Sequence, residues 1–159
     1  MTTYTARPIE PEVLKDLRTA DDAGRPMVPF TDEEGGAPLR CCLRRGEPGE
    51  RIALVSYAPL RRWAAAAASI RARTTSRARS SSTRGSAGAA ADVRPFEGAH
   101  RTVRRYSAGG RILGGRLVEV PEWSAFEAAF EAAFADPAVE LVHVRAVEYG
   151  CFLYEVRRA

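Results

Sequence analysis

Arg61–Ala91 reads RRWAAAAASIRARTTSRARSSSTRGSAGAAA. It consists almost wholly of Ala, Arg, Ser, Thr and Gly, between flanks with the apolar patterning of ordinary globular protein. It holds seven arginines and no acid. The chain carries 24 basic and 20 acidic residues, a net charge of +4, so this one stretch supplies more than the whole surplus. The basicity therefore belongs to a segment and not to the fold, and a polyanion partner does not follow from it. How the stretch is read decides whether the flanks form one domain with a break or one domain with an insert.

Upstream, Leu39–Arg44 (LRCCLR) and Arg51–Tyr57 (RIALVSY) read as two strands joined by the turn Gly46–Glu50. In the first, Leu39, Cys41 and Leu43 alternate with Arg40, Cys42 and Arg44. The second is a nearly continuous apolar run, as an interior strand requires. The spacing predicts an antiparallel hairpin. Before it, Phe30–Pro38 (FTDEEGGAP) reads as a polar loop, and Glu10-Pro11 opens a short helix with Val13, Leu14 and Leu17 on one face. Residues 1–10 read as an extended lead-in.

Downstream, Ala99–Tyr106 and Arg111–Val120 form a second predicted hairpin around a Gly-bearing turn, with Gly114-Gly115 marking a bulge. Ser124–Glu127 has the form of a capping box. The helix after it carries Phe126, Phe130 and Phe134 at a spacing of four, which puts the rings on one face. Asp136-Pro137 stops it. Val139–Val147 and Cys151–Arg157 form a third hairpin.

The fold class expected is α+β. Hairpins build one antiparallel or mixed sheet, the 124–135 helix packs on it, and the short N-terminal helix lies at an edge. With 159 residues, 45% of them hydrophobic, the chain is a single domain able to bury a core. The N-terminus has no apolar leader and no run approaches a membrane span. Three cysteines, an odd number, read as free thiols in a reducing, cytoplasmic setting.

The middle stretch admits two readings. As a linker, its composition cannot bury enough apolar surface to order itself, although an insert of about 30 structureless residues inside one compact domain is uncommon. As a shifted reading frame, TCN serine codons become NTC, encoding Phe, Leu, Ile or Val. ACN threonine codons become NAC, encoding Asp, Asn, His or Tyr. Ser80-Ser81-Ser82-Thr83 then hides three apolar residues followed by a polar one, a buried strand ending in a residue such as His. On this reading the chain lacks a paired central strand between about 64 and 91.

Gly36–Arg44 (GAPLRCCLR), Gly49–Pro59 (GERIALVSYAP), Arg105–Ile112 (RYSAGGRI), Asp136–Arg145 with its VHVR, and Gly150–Tyr154 (GCFLY) together resemble an uncharacterised bacterial family, domain of unknown function 1203. The resemblance covers nearly everything outside 64–91. It implies a fold and no activity. It also implies a strand reading like V-F-V-H-A, then a Cys-bearing loop, between the upstream hairpin and the 99–120 hairpin, where this chain departs from the pattern and the neighbouring frame would restore it.

Candidate site residues are few. Cys42 lies between Arg40 and Arg44, whose charge would favour a thiolate; against this, Cys41 packs in a core and Cys42 is incidental. His143 and Arg145 share a strand face opposite Val142 and Val144. They would line a cleft for an anion, or form a solvated outer face. A nucleophile pair of Cys42 or Cys151 with His143 is the enzymatic version. Arg105, with Arg101, Arg104 and Tyr106, forms a basic, aromatic-edged strand. Two His and three Cys with no C-x-x-C give no metal signature, and no cofactor motif is present.

Three functions are expected in descending order. The first is a small cytoplasmic binding or accessory domain. The second is a thiol- and Arg-dependent enzyme or anionic-ligand site built from Cys42, His143, Arg40, Arg105 and Arg145 at one end of the sheet. The third is nucleic-acid binding through the Arg-rich 61–84 stretch.

Overall fold

The computed structural model describes residues 4–66, 99–119 and 122–159, and the backbone of 76–81. In chain order the elements are β1 (Tyr4–Arg7), α1 (Pro11–Thr19), β2 (Pro29–Asp32), β3 (Pro38–Leu39), β4 (Arg44–Arg45), β5 (Glu50–Tyr57), α2 (Pro59–Ala66), β6 (Ser76–Ser81), β7 (Arg101–Ser107), β8 (Ile112–Val118), α3 (Trp123–Phe134), β9 (Val139–Ala146) and β10 (Phe152–Arg158). The fold is α+β, as expected.

The organising layer is a five-stranded antiparallel sheet in the order β1-β10-β9-β7-β8. Its two central hairpins are those the alternation predicts. They meet through β7 and β9, where Val103 stands opposite Val144 and Arg104 opposite His143. The bulge falls where Gly114-Gly115 places it: the β7–β8 register shifts between Arg105 and Tyr106. Gly114 adopts φ +135°, and a Cβ there would meet the Arg105 guanidinium at 2.7 Å, so glycine serves both the backbone and the neighbour.

Each face of this sheet is covered. On one, α3 lays Phe126, Phe130 and Phe134 over Val103, Val142, Val144 and Val156. Burying each ring is worth about 1.5–3 kcal/mol. Tyr4 of β1 stacks on Phe134 at 5.2 Å, and Arg158 caps the helix by donating to Phe134 O at 2.7 Å. The predicted capping box does not form. Glu122 is the N-cap without a side-chain bond, and Glu127 instead accepts from Trp123 Nε1 at 2.9 Å.

The other face meets a second layer that the sequence patterning did not foretell. β5 is flanked by β2 and β6, not by the 39–44 segment. The predicted 39–44/51–57 hairpin is thus corrected: β3 pairs only with β4, and Arg40–Leu43 is a turn in which Leu43 takes φ +56°. β2 arises from Pro29–Asp32, whose polar character hid a strand. The extended lead-in proves to be β1, an edge strand.

Two parts of Arg61–Ala91 are described. Arg61–Ala66 completes α2, with Leu60 and Ala64 buried. Arg62 donates to Asp22 at 2.9 and 2.7 Å and to Asp16 at 3.1 Å, tying α2 to α1 and the turn after it. Ser76–Ser81 pairs with β5, Leu54 opposite Arg79. The expectation of no paired strand between 64 and 91 is therefore corrected for those six residues. The rest of the insert reading, at 67–75 and 82–91, lies outside the described residues.

Candidate functional site

Strand alternation, with the register, sorts the strand candidates. Leu141, His143 and Arg145 of β9 share a face with Tyr106 and Arg104 of β7 and with Phe152 and Glu155 of β10. This is the face turned toward the second layer. Arg105 pairs with Val142 and so lies on the α3 face, where its guanidinium donates to Leu113 O at 3.2 Å. His143 and Arg145 are thus brought together, and Arg105 is separated from them by the sheet.

The solvated outer face considered for His143 and Arg145 does not exist: they are 0% and 4% exposed. The His143 ring lies 4.8 Å from Tyr106 and 4.9 Å edge-on from Phe152. Neither ring nitrogen has a partner at full hydrogen-bond geometry, nor has the buried Tyr106 hydroxyl, although the Arg145 guanidinium stands beside it. Glu155 Oε2 stands 3.6 Å from His143 Nε2, beyond hydrogen-bond distance. Arg157 holds the other carboxylate oxygen at 2.6 Å. Burial pushes the His143 pKa below its ordinary value, and the pull of Glu155 in the opposite direction does not win. The imidazole is accordingly neutral. Burial raises the Glu155 carboxyl, but His143 and Arg157 together outweigh it and keep the pKa below normal.

Arg145 donates from Nε to Gly150 O at 2.9 Å, bracing the β9–β10 turn. Arg104, half-buried opposite His143, makes no hydrogen bond or ion pair among the described residues. Arg104 and Arg145 thus bring two guanidiniums to this face, Arg145 engaged with Gly150 O and Tyr106.

Arg40 reaches the same end of the sheet, its Nε donating to Phe152 O at 3.1 Å. Cys41 is buried in the cluster of Leu39, Ile52 and Phe152, with Cys42 packed at its margin. The two sulfurs are 3.5 Å apart. The Cys41 contact and burial push the Cys42 thiol well up, and the favourable field of Arg44 does not compensate. Arg44 is itself engaged by Glu50 at 2.9 and 2.5 Å. The activated thiolate considered at Cys42, set against the reading that Cys41 packs in a core, is thus not what these surroundings favour. Among the described residues Cys42 bonds Cys41 and not His143. Cys151 lies near the β9–β10 turn, its thiol 3.9 Å from Tyr149 O.

Alternation within VELVHVRAV already paired His143 with Arg145. Sequence reasoning missed Glu155, Arg157 and Phe152, and grouped Tyr106 with Arg101, Arg104 and Arg105 in a basic, aromatic-edged strand and not with His143. The available signal was Glu155 itself, a lone acid in the otherwise apolar stretch FLYEV.

A hollow of about 240 Å³ lies elsewhere, lined by Asp21, Arg25, Val28, Phe30, Leu54 and Ser56 among others. Its polar groups are occupied. Asp21 accepts from the backbone of Ala23, Arg25 and Ser56 at 2.9–3.0 Å, and Arg25 donates to Ser56 Oγ at 2.7 Å. Burial raises the Asp21 pKa, but those backbone bonds prevail and hold it at about 2. Among the described residues no three His, Cys, Asp or Glu gather in a way that could hold a metal, and no helix is long and apolar enough to cross a membrane.

No curated protein and no solved structure matches the chain. The family described as "Protein of unknown function (DUF1203)" matches residues 36–158, which include α2, the central hairpins, α3 and every candidate residue above. The chain belongs to that family.

Proposed function

We propose that this is a small binding domain whose ligand is a compact anion held against the inward face of the five-stranded sheet. Arg104 and Arg145 supply the charge, and Tyr106 and His143 supply direction. One observation supports the reading: three buried polar atoms, the Tyr106 hydroxyl beside Arg145 and both His143 nitrogens near Glu155, lack a well-formed hydrogen bond. An unmet buried donor or acceptor costs about 1–3 kcal/mol. A fold keeps such groups where they act on something else. Neutral His143 offers a donor at one nitrogen, Tyr106 offers a hydroxyl, and two guanidiniums nearby favour a carboxylate or phosphate over a neutral ligand.

Tyr106→Phe tests this, because it removes one oxygen and leaves the ring. Inorganic phosphate and malonate, titrated calorimetrically, are the probes. The wild type binds at least one of them, and Tyr106→Phe weakens binding by roughly 10- to 100-fold, the worth of a hydrogen bond to a charged group. Without ligand, the variant unfolds at the same urea concentration as the wild type or a higher one. A less stable unliganded variant would mean that the hydroxyl already has a partner, and the reading would fail. So would absence of binding by both probes at low salt.

The enzymatic alternative needs a nucleophile, and the raised Cys42 pKa supports none. For the nucleic-acid alternative, Arg62 is committed to Asp22 and Asp16. The side chains of Arg71, Arg73, Arg77, Arg79 and Arg84 lie outside the described residues.

A further inference from the structure

Successive residues of a β-strand point to opposite faces, so a Cys-Cys pair in a strand holds its thiols apart. Cys41 and Cys42 are not in a strand. Leu43 N–H donates to Leu39 O at 2.9 Å, closing one turn, and Leu43 leaves it in the left-handed conformation at φ +56°. The turn brings both sulfurs to the same side, 3.5 Å apart. Neither is in a disulfide. Cys42 is half-buried and reachable, and Cys41 stands behind it against the core.

The separation selects among thiol chemistries. With sulfur about 2.3 Å from a soft centre, as in zinc thiolates, sulfurs 3.5 Å apart subtend roughly 100° there. A linear two-coordinate ion would need them about 4.6 Å apart, twice that bond length. Tetrahedral zinc accepts the angle but requires four ligands in a structural site. No third His, Cys, Asp or Glu joins the pair among the described residues. A pyramidal three-coordinate centre that brings its own third substituent needs only two sulfurs at this angle.

We propose that Cys41 and Cys42 form a dithiol chelating site for such a centre, of the class of trivalent organoarsenicals. With an arsenoxide, R–As=O, two S–H bonds and the As=O bond break and two S–As bonds form. Both thiol protons leave with the oxygen as one water molecule, and no oxidation state changes. The accessible Cys42 sulfur reacts first, and Cys41 closes the ring. This site is independent of the anion site on the sheet.

Phenylarsine oxide is the probe. The chain has three cysteines. One equivalent added to the native protein should protect two of the three thiols from a disulfide titrant, leaving Cys151. 2,3-Dimercaptopropanol should restore all three, whereas the same excess of 2-mercaptoethanol should not. Cys41→Ser and Cys42→Ser each lose the second bond, lowering affinity by about 10²- to 10⁴-fold, the usual gain from linking two weak contacts. Cys151→Ser leaves affinity unchanged, and thermal melts confirm that each variant is folded. The urea-unfolded chain binds at least about tenfold more weakly, because it must first order the turn. Protection of a single thiol, reversal by the monothiol, undiminished affinity in either serine variant, or equal affinity of native and unfolded chains would each overturn the proposal.

Discussion

Substituting leucine for His143 removes two ring nitrogens that are buried without partners. At pH 7.5 the result is a near balance. Relief of the unmet polar groups gains about 1–3 kcal/mol each. Loss of the contacts with Tyr106 and Phe152 costs about 0.5–1.5 kcal/mol each. Emptied space and a poorer shape match take back more of the gain. The pH dependence is decisive. Burial depresses the folded-state pKa of His143 below its ordinary 6.5. As pH falls below 6.5, the unfolded chain takes up a proton that the folded chain refuses. Stability present above that pH is therefore lost as pH falls toward the depressed folded value, at up to about 1.4 kcal/mol per pH unit. Between pH 7.5 and 5.5 this one residue should cost up to about 1.4 kcal/mol, the limit reached if the folded imidazole stays unprotonated throughout. The Asp21 and Glu155 carboxyls, both held below normal, titrate beneath the window. Urea denaturation of wild type and His143→Leu at the two pH values reads the difference directly: the wild type should lose that much more stability. An equal loss in both proteins would show that His143 is not held neutral in the folded chain and would refute the argument.

Arg62→Ala should destabilise by about 1–3 kcal/mol, more than an exposed ion pair, because its bonds to Asp22 are bidentate and partly buried; urea melts check this. Asp21→Asn should cost about 1–3 kcal/mol at pH 7 by leaving backbone N–H groups facing an amide. In the wild type the Asp21 contribution is lost as pH falls from 3.8 through about 2, so the two proteins converge in acid. Phe130→Ala should cost about 3–5 kcal/mol and lower the melting temperature by on the order of 10 °C; a drop of only a degree or two would mean α3 does not anchor the core. Finally, the neighbouring reading frame across codons 60–95 is expected to be open and to encode an apolar strand followed by His. β6 occupies a strand position beside β5 with the sequence SRARSS, which contains no large apolar residue. Stop codons in that frame of the coding DNA would end this idea.

The elements legible in the sequence were those whose periodicity and burial agree. Phe126, Phe130 and Phe134 repeat at helical spacing and are all buried, and Val139–Ala146 alternates and pairs as strands do. Residues went astray where a second layer overrides that logic. Alternation in β9 implies one wet face, yet β5 and α2 cover the face carrying His143 and Arg145. That cover was illegible because its parts carry little periodic signal. β2 is only four residues, Pro29–Asp32, and α2 runs into an alanine tract that reads as low complexity. The Arg40–Leu43 turn gave no warning either: leucine is not a residue expected at positive φ, so LRCCLR reads as a strand with its thiols apart.

β1 and β10 are neighbours in the sheet, Tyr4 opposite Arg158 and Arg7 opposite Glu155. Strand β1 is made before the whole intervening chain and β10 after it. Until then Tyr4 has no place on the α3 rings, since β10, the strand that holds β1 beside that face, does not yet exist. Closure of the sheet is thus a long-range event whose entropy must be met before the contacts reward it. A nascent chain halted after β9 but before β10 leaves two strand edges unpaired, those of β1 and β9. Such edges are what aggregation recruits.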